Sequence, residues 1–107
     1  MTGSFGDMGN LLKQAQRMQA AMNDAREELD AKELVGSSGG GAVDITVTAN
    51  GDVKGVRISD EALKAGDRSL LEELILAAVQ DALNQAKRTR EERLSKVTGG
   101  LNLPGFQ

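Results

Sequence analysis

The apolar row Met8, Leu11, Ala15, Met18, Met22, Ala25 and Leu29 constrains the fold more than any other feature of the sequence. Its members advance by alternating steps of three and four residues, the heptad spacing of a coiled-coil seam. Leu12 widens the row, whereas Gln14, Gln16, Arg17, Gln19, Asn23 and Asp24 lie off it, so the opposite face is expected to be wet. The spacing predicts a first helix from about Asp7 to Lys32.

A chain of 107 residues has room for one hydrophobic core. A single domain over 1–107 is therefore expected, with flexible tails at 1–6 and 98–107. The core must be aliphatic, because the only aromatic residues are Phe5 and Phe106, close to the two ends. With 39% hydrophobic and 27% charged residues, the composition is that of a globular chain rather than a disordered one.

After the first helix, Glu33 to Ser37 suits a short strand and Ser38 to Gly41 a flexible glycine-rich turn. Val43, Ile45, Val47 and Ala49 alternate with Asp44, Thr46, Thr48 and Asn50, the period of two that marks a half-buried strand. Asn50-Gly51 signals a hairpin turn. On the return strand Val53 is out of phase with Val56 and Ile58, and one extra residue near Lys54-Gly55 restores a common face, as a β-bulge does, with Gly55 its natural place.

Ser59-Asp60 is placed to cap a helical turn through Leu63 and Gly66 to end it. Either Asp67 or Ser69 is placed to start the last helix, and Ser69 and Glu72 have capping-box spacing. Leu71, Leu74, Ile75, Ala78, Ala82 and Ala86 then make one apolar face, broadened by Val79 and Leu83, with the helix continuing to about Lys96. The expected class is α+β in the order α-β-β-β-α, a small antiparallel three-stranded sheet flanked by two long helices.

That plan leaves apolar surface without cover. A helix of roughly 27 residues is about 40 Å long, whereas a six-residue strand spans only about 20 Å. Three short strands cannot cover both apolar stripes, and the commonest partner for a small chain is a twofold copy of itself. Met8, Leu11, Met18, Met22, Leu74, Ile75 and Ala78 are the expected contacts of such a homodimer.

Much chemistry is excluded outright. The chain has no histidine and no cysteine, which removes the usual general base, the thiol nucleophile, the preferred zinc ligands and any disulfide. Glu27-Glu28, Glu72-Glu73 and Glu91-Glu92 are neighbouring pairs, whose members point about 100° apart on a helix and read as solvated surface. The stretch Gly36 to Gly41 lacks the Lys-Ser/Thr ending of a phosphate loop. The expectation is a non-enzymatic protein with no cofactor, no metal and no small-molecule substrate. Met1 to Asn10 lacks the basic start and apolar core of a signal peptide, and no apolar run approaches the ~20 residues that span a bilayer. A cytoplasmic protein with no membrane partner is expected.

One cluster stands out against a net charge of −3, which on average opposes attraction to phosphates. Lys87, Arg88, Arg90, Arg93 and Lys96 crowd the end of the last helix, opposed only by Glu91 and Glu92. Arg90 and Arg93 continue the stripe of Ala78, Ala82 and Ala86, so the packing face turns basic partway along. Such a segment is expected to project from the body and touch phosphates. Cations at a helix C-terminus are also favoured by the helix dipole alone, without any ligand. Lys13 and Arg17, one helical turn apart on the wet side of the first helix, are secondary candidates, with Gln14 and Gln16 nearby. No interior aromatic offers a stacking platform for single-stranded bases, which points to duplex backbone.

The run from Asn10 through Leu11, Leu12, Lys13, Gln14, Ala15, Gln16, Arg17 and Met18 to Gln19 resembles the opening helix of the YbaB/EbfC family of nucleoid-associated proteins. Gly36 to Ile58 is similar to that family's glycine-rich turn and hairpin, Leu70 to Ala82 to its closing helix, and Leu103-Pro104-Gly105-Phe106 to its ending. The resemblance implies a homodimer whose helices embrace DNA like the arms of a tweezer, located at the nucleoid. The family's proline-containing turn after the last strand is replaced here by Ser59-Asp60-Glu61-Ala62. The expected function is duplex binding through phosphate contacts with limited sequence specificity, acting on chromosome organisation or transcription. The alternative is a non-enzymatic scaffold for a protein partner in DNA replication or repair.

Overall fold

A computed structural model of the chain describes residues 3–99. Its elements are α1 (Gly3–Ala31), β1 (Glu33–Ser38), β2 (Val43–Thr48), β3 (Val53–Ile58), the short α2 (Asp60–Lys64) and α3 (Arg68–Gly99). The α+β class and the order of elements agree with the sequence reading. Two helix boundaries differ: α1 begins at Gly3 rather than near Asp7, and α3 runs to Gly99 rather than to Lys96. Parts of both stretches expected as flexible tails are thus helical, while 1–2 and 100–107 lie outside the described residues. Among the described residues no helix is long and apolar enough to cross a membrane.

The strands form one antiparallel sheet in the order β1-β2-β3. Val43, Ile45 and Val47 of β2 point to one face and are buried, as their alternation requires. On β3, Thr46 pairs with Gly55 and Val47 with Val53, leaving Lys54 as the extra residue of a bulge. That bulge puts Val53, Val56 and Ile58 on the same face as the buried Val43, Ile45 and Val47 of β2, as the phase of the sequence requires, but its extra residue is Lys54 rather than Gly55, which stays paired with Thr46.

Local caps follow from the sequence as well. Ser59 Oγ accepts from Ala62 N (3.1 Å) at the start of α2, so this chain caps the turn without the proline of the resembled pattern. Of the two candidate starts for α3, Asp67 is the one used, its Oδ1 accepting from Leu70 N (3.0 Å). The turn Gly39-Gly40-Gly41 is tight, with all three residues at positive φ and Gly41 N and Ala42 N donating to Ser38 O. Glycine alone adopts three successive left-handed conformations without steric cost.

The helix α3 lies across β1 and β2, with Ala78, Ala82 and Ala86 buried against Val43, Ile45 and Val47. Its approach to β1 is so close that a Cβ on Gly36 would stand 2.3 Å from Ala82 N and 2.4 Å from Ala78 O. Glycine opposite alanines spaced four apart lets helix backbone rest almost directly on strand backbone. Ala78, expected at a contact between copies, is therefore part of the chain's own core, fully buried beneath its own sheet.

Candidate nucleic-acid interface

The path of α3 decides which cations are available to a ligand. From its start onward α3 meets Ser38, Ser37, Val35, Ala49 and Glu28 in turn. Ser38 Oγ donates to Leu74 O (2.6 Å), Ser37 N donates to Asp81 Oδ2 (3.0 Å) and Gln85 Nε2 donates to Val35 O (2.9 Å). Arg90 then reaches Ala49 O (3.1 Å), and Arg93 Nε reaches Glu28 Oε2 (2.6 Å). The helix therefore runs antiparallel to β1 and then alongside the C-terminal half of α1.

Arg90 and Arg93 do not project from the body, contrary to the reading of the sequence. They continue the packing stripe, as the helical wheel requires, but the body continues with them. Where the sheet ends, the β2–β3 turn and the last turns of α1 take its place and present oxygens rather than methyl groups. Ala49 is fully buried; its N–H donates to Lys32 O (2.9 Å) and its carbonyl accepts from Arg90. Asn50 Nδ2 adds bonds to Arg26 O (3.2 Å) and to Asp30. A buried carbonyl without a donor is costly, so Arg90 is a stitch between α3 and the hairpin. Arg93 ties α3 to α1, its side chain 31% exposed in the ion pair with Glu28.

With those two guanidinium groups engaged, the exposed cations of this segment are Lys87, Arg88 and Lys96, interspersed with the exposed Glu91 and Glu92. The strongly basic end of α3 is nearly neutral where it meets solvent. Lys87 and Arg88 line one shallow surface depression with Asp81, Asn84 and Glu91, where two carboxylates offset two cations.

The first helix is different. Met8 to Asn23 contains Lys13 and Arg17 and no acidic residue. Both side chains are exposed, and neither has an ion-pair partner among the described residues. They lie opposite the apolar row on the wheel. The arm is exposed from Asp7 to Arg17, and only Ala25 and Leu29 of its row are fully buried. The elongated outline of 78 × 24 × 16 Å reflects this projecting rod.

The two flanks of α3 also differ. Asp81 and Gln85 close the outer edge of β1 with hydrogen bonds to its backbone, and Gln85 also donates to Asp81 (3.2 Å). The opposite flank of the helix carries Ile75, Leu76, Val79 and Leu83 toward the β3 side. There Val53 and Val56 are 59% and 60% exposed although they share the sheet's inner face, and Leu76 and Leu83 are 58% and 40% exposed. Of the other side chains expected between copies, Met8 and Leu11 are exposed, Met18 and Met22 partly covered, and Leu74 and Ile75 partly buried against the core. The sequence reading missed Glu28, Ala49, Asp81 and Gln85 as partners, because each acts on a residue far away in the chain.

Comparison with solved structures finds the same fold in an uncharacterized protein, HP0035, from Helicobacter pylori. The TM-score is 0.73 at 21% identity, over 89% of this chain and 97% of that one. The YbaB/EbfC DNA-binding family, a non-enzymatic one, matches residues 5–101. With a match over nearly the whole length, in a fold that leaves an acid-free basic helix exposed, this chain belongs to the YbaB/EbfC DNA-binding family.

Proposed function

We propose that a homodimer of this chain holds duplex DNA between the projecting halves of its α1 helices, with Lys13 and Arg17 making the principal phosphate contacts. Lys87, Arg88 and Lys96 add weaker contacts, offset by Glu91 and Glu92. The observation that carries this reading is the acid-free stretch Met8 to Asn23 with both its cations exposed. Phosphate contacts position a protein on DNA without reading its sequence, so binding has limited sequence specificity and suits a role in chromosome organisation or transcription at the nucleoid.

The dimer surface in this reading is the open groove between α3 and β3, lined by Val53, Val56, Leu76 and Leu83. A twofold axis there makes the patch self-complementary, and completing the burial of each of these half-exposed side chains contributes about 1 kcal/mol before the cost of association. Sedimentation equilibrium is expected to give the mass of two chains. Titration of random duplex at several salt concentrations tests the electrostatic part. If a dimer neutralises about four to eight phosphates, log affinity falls with log salt at a slope of roughly −4 to −7. A complex indifferent to salt contradicts the proposal.

A further inference from the structure

We infer that the apolar row on α1's projecting half is a seam by which an arm of one dimer pairs, antiparallel, with an arm of a second dimer, linking DNA-bound dimers to one another. The choice of copies rests on the embrace proposed above: the two arms of one dimer point the same way, so an antiparallel partner comes from another dimer. The lower part of the row, Ala25 and Leu29, is fully buried in the body, while Met8 and Leu11 at its upper part are 60% and 63% exposed. Along the arm, Met8, Leu11, Ala15 and Met18 stand three, four and three residues apart. That spacing reads the same from either end.

A second arm laid antiparallel therefore sets every member of the row opposite another member, Met8 facing Met18 and Leu11 facing Ala15, each twice. Leu11 fills the space above the small Ala15, the large-against-small match that closes a helix seam. A parallel copy would set Ala15 against Ala15 and leave a gap. Leu12 and Gln14, which flank the row, are uncharged, so two identical arms approach without like-charge repulsion. Lys13 and Arg17 stay on the far side of each helix, free to keep their phosphates.

The helix lengths agree independently. Arg93 of α3 pairs with Glu28 of the antiparallel α1, and Gly99 lies as far beyond Arg93 as Met22 lies before Glu28, so α3 ends beside Met22. With Met8 opposite Met18, the first helical residue of the second arm, Gly3, falls opposite Asn23. The second arm thus begins on the row where α3 stops, to within about one residue. Four apolar side chains hide on the order of 300 Å² per arm, below the roughly 800 Å² per partner of a stand-alone complex. The seam therefore acts between dimers already gathered on DNA, and trapping is the direct way to read it.

The chain has no cysteine, which makes the test clean. Full-length Met8→Cys and Met18→Cys proteins are oxidised with glutathione disulfide on random duplex DNA, each alone and as an equal mixture. The antiparallel seam is expected to give a disulfide-linked pair in the mixture at five times or more the yield of either variant alone. Equal yields in all three samples, a higher yield in either variant alone, or no linked pair at all overturns the inference. Adding Leu11→Lys to both proteins places an ammonium over Ala15 twice per pair and is expected to cut the mixed yield tenfold; an unchanged yield overturns it too. The oxidation is repeated without DNA, at high protein concentration, in a Val56→Lys background, which removes the groove contact of the proposed dimer. There the mixed disulfide is expected to persist, so that a failed groove and a failed seam are told apart. A disulfide lost together with the groove would confine the arm contact to a single dimer and contradict the inference.

Discussion

The half of the molecule built from α3, β1, β2 and the end of α1 closes on itself, while β3's inner face and the projecting half of α1 do not. In the closed half the polar side chains that face the body meet partners: Asp81 and Gln85 hold the β1 edge, Arg90 holds the Ala49 carbonyl and Arg93 holds Glu28. In the open half valines on the core face of the sheet stand in solvent, and Lys13 and Arg17 face outward. The difference teaches that a cation's role is set by what lies opposite it. Five basic residues near the end of α3 look like a ligand site in sequence, yet the two on the packing stripe are structural. Two isolated cations on α1, unremarkable in sequence, are exposed on a stretch without acidic neighbours.

Substitutions on each side of this divide are expected to have different signatures. The largest effect belongs to the closed half: Gly36→Val places a side chain against Ala82 N and Ala78 O. Neither backbone yields cheaply, so a loss of about 3 kcal/mol or more is expected in urea denaturation. In the open half, Val56→Lys is expected to leave the circular dichroism of the fold intact while weakening self-association about 100-fold, because the charge enters the dimer groove twice per pair. A dimer unaffected by Val56→Lys would place the twofold contact elsewhere.

Arg90→Ala returns to the closed half. It leaves the carbonyl of a fully buried residue without its donor, and about 1–2 kcal/mol of stability is expected to go with it. Unchanged stability would mean that water reaches Ala49 O. Arg93→Ala has the smallest expected effect, about 0.5 kcal/mol, because Glu28 is 58% exposed and its ion pair is screened. A double-mutant cycle with Glu28→Ala isolates that coupling, and a value near zero would leave the α1–α3 contact to apolar packing alone.

Much of this fold is legible in the sequence because its signals are local. Alternation along β2, the phase slip at Lys54, the Asn50-Gly51 turn and the Ser59 cap each involve residues close together in the chain. What was not legible depends on long-range partners. Gly36 reads as an ordinary residue of a short strand leading into a glycine-rich turn until α3 is laid against it, after which its missing Cβ is the reason the helix fits. Ala78 reads as one member of an apolar stripe, and only the sheet decides whether that stripe meets its own chain or another. For Arg90 and Arg93 the wheel gives the right face but not what the face meets, since Ala49 and Glu28 lie some forty to sixty-five positions away.

The assignment of DNA contact to α1 rather than to the stripe of α3 is tested most directly by the salt dependence of duplex binding in two double variants. In Lys13→Ala/Arg17→Ala a dimer loses four cations from its arms, and the slope of log affinity against log salt is expected to shallow by about 3–4. In Arg90→Ala/Arg93→Ala, measured well below the unfolding midpoint, the slope is expected to stay that of the parent. The reverse result, a parental slope without Lys13 and Arg17 and a shallow one without Arg90 and Arg93, would contradict the account.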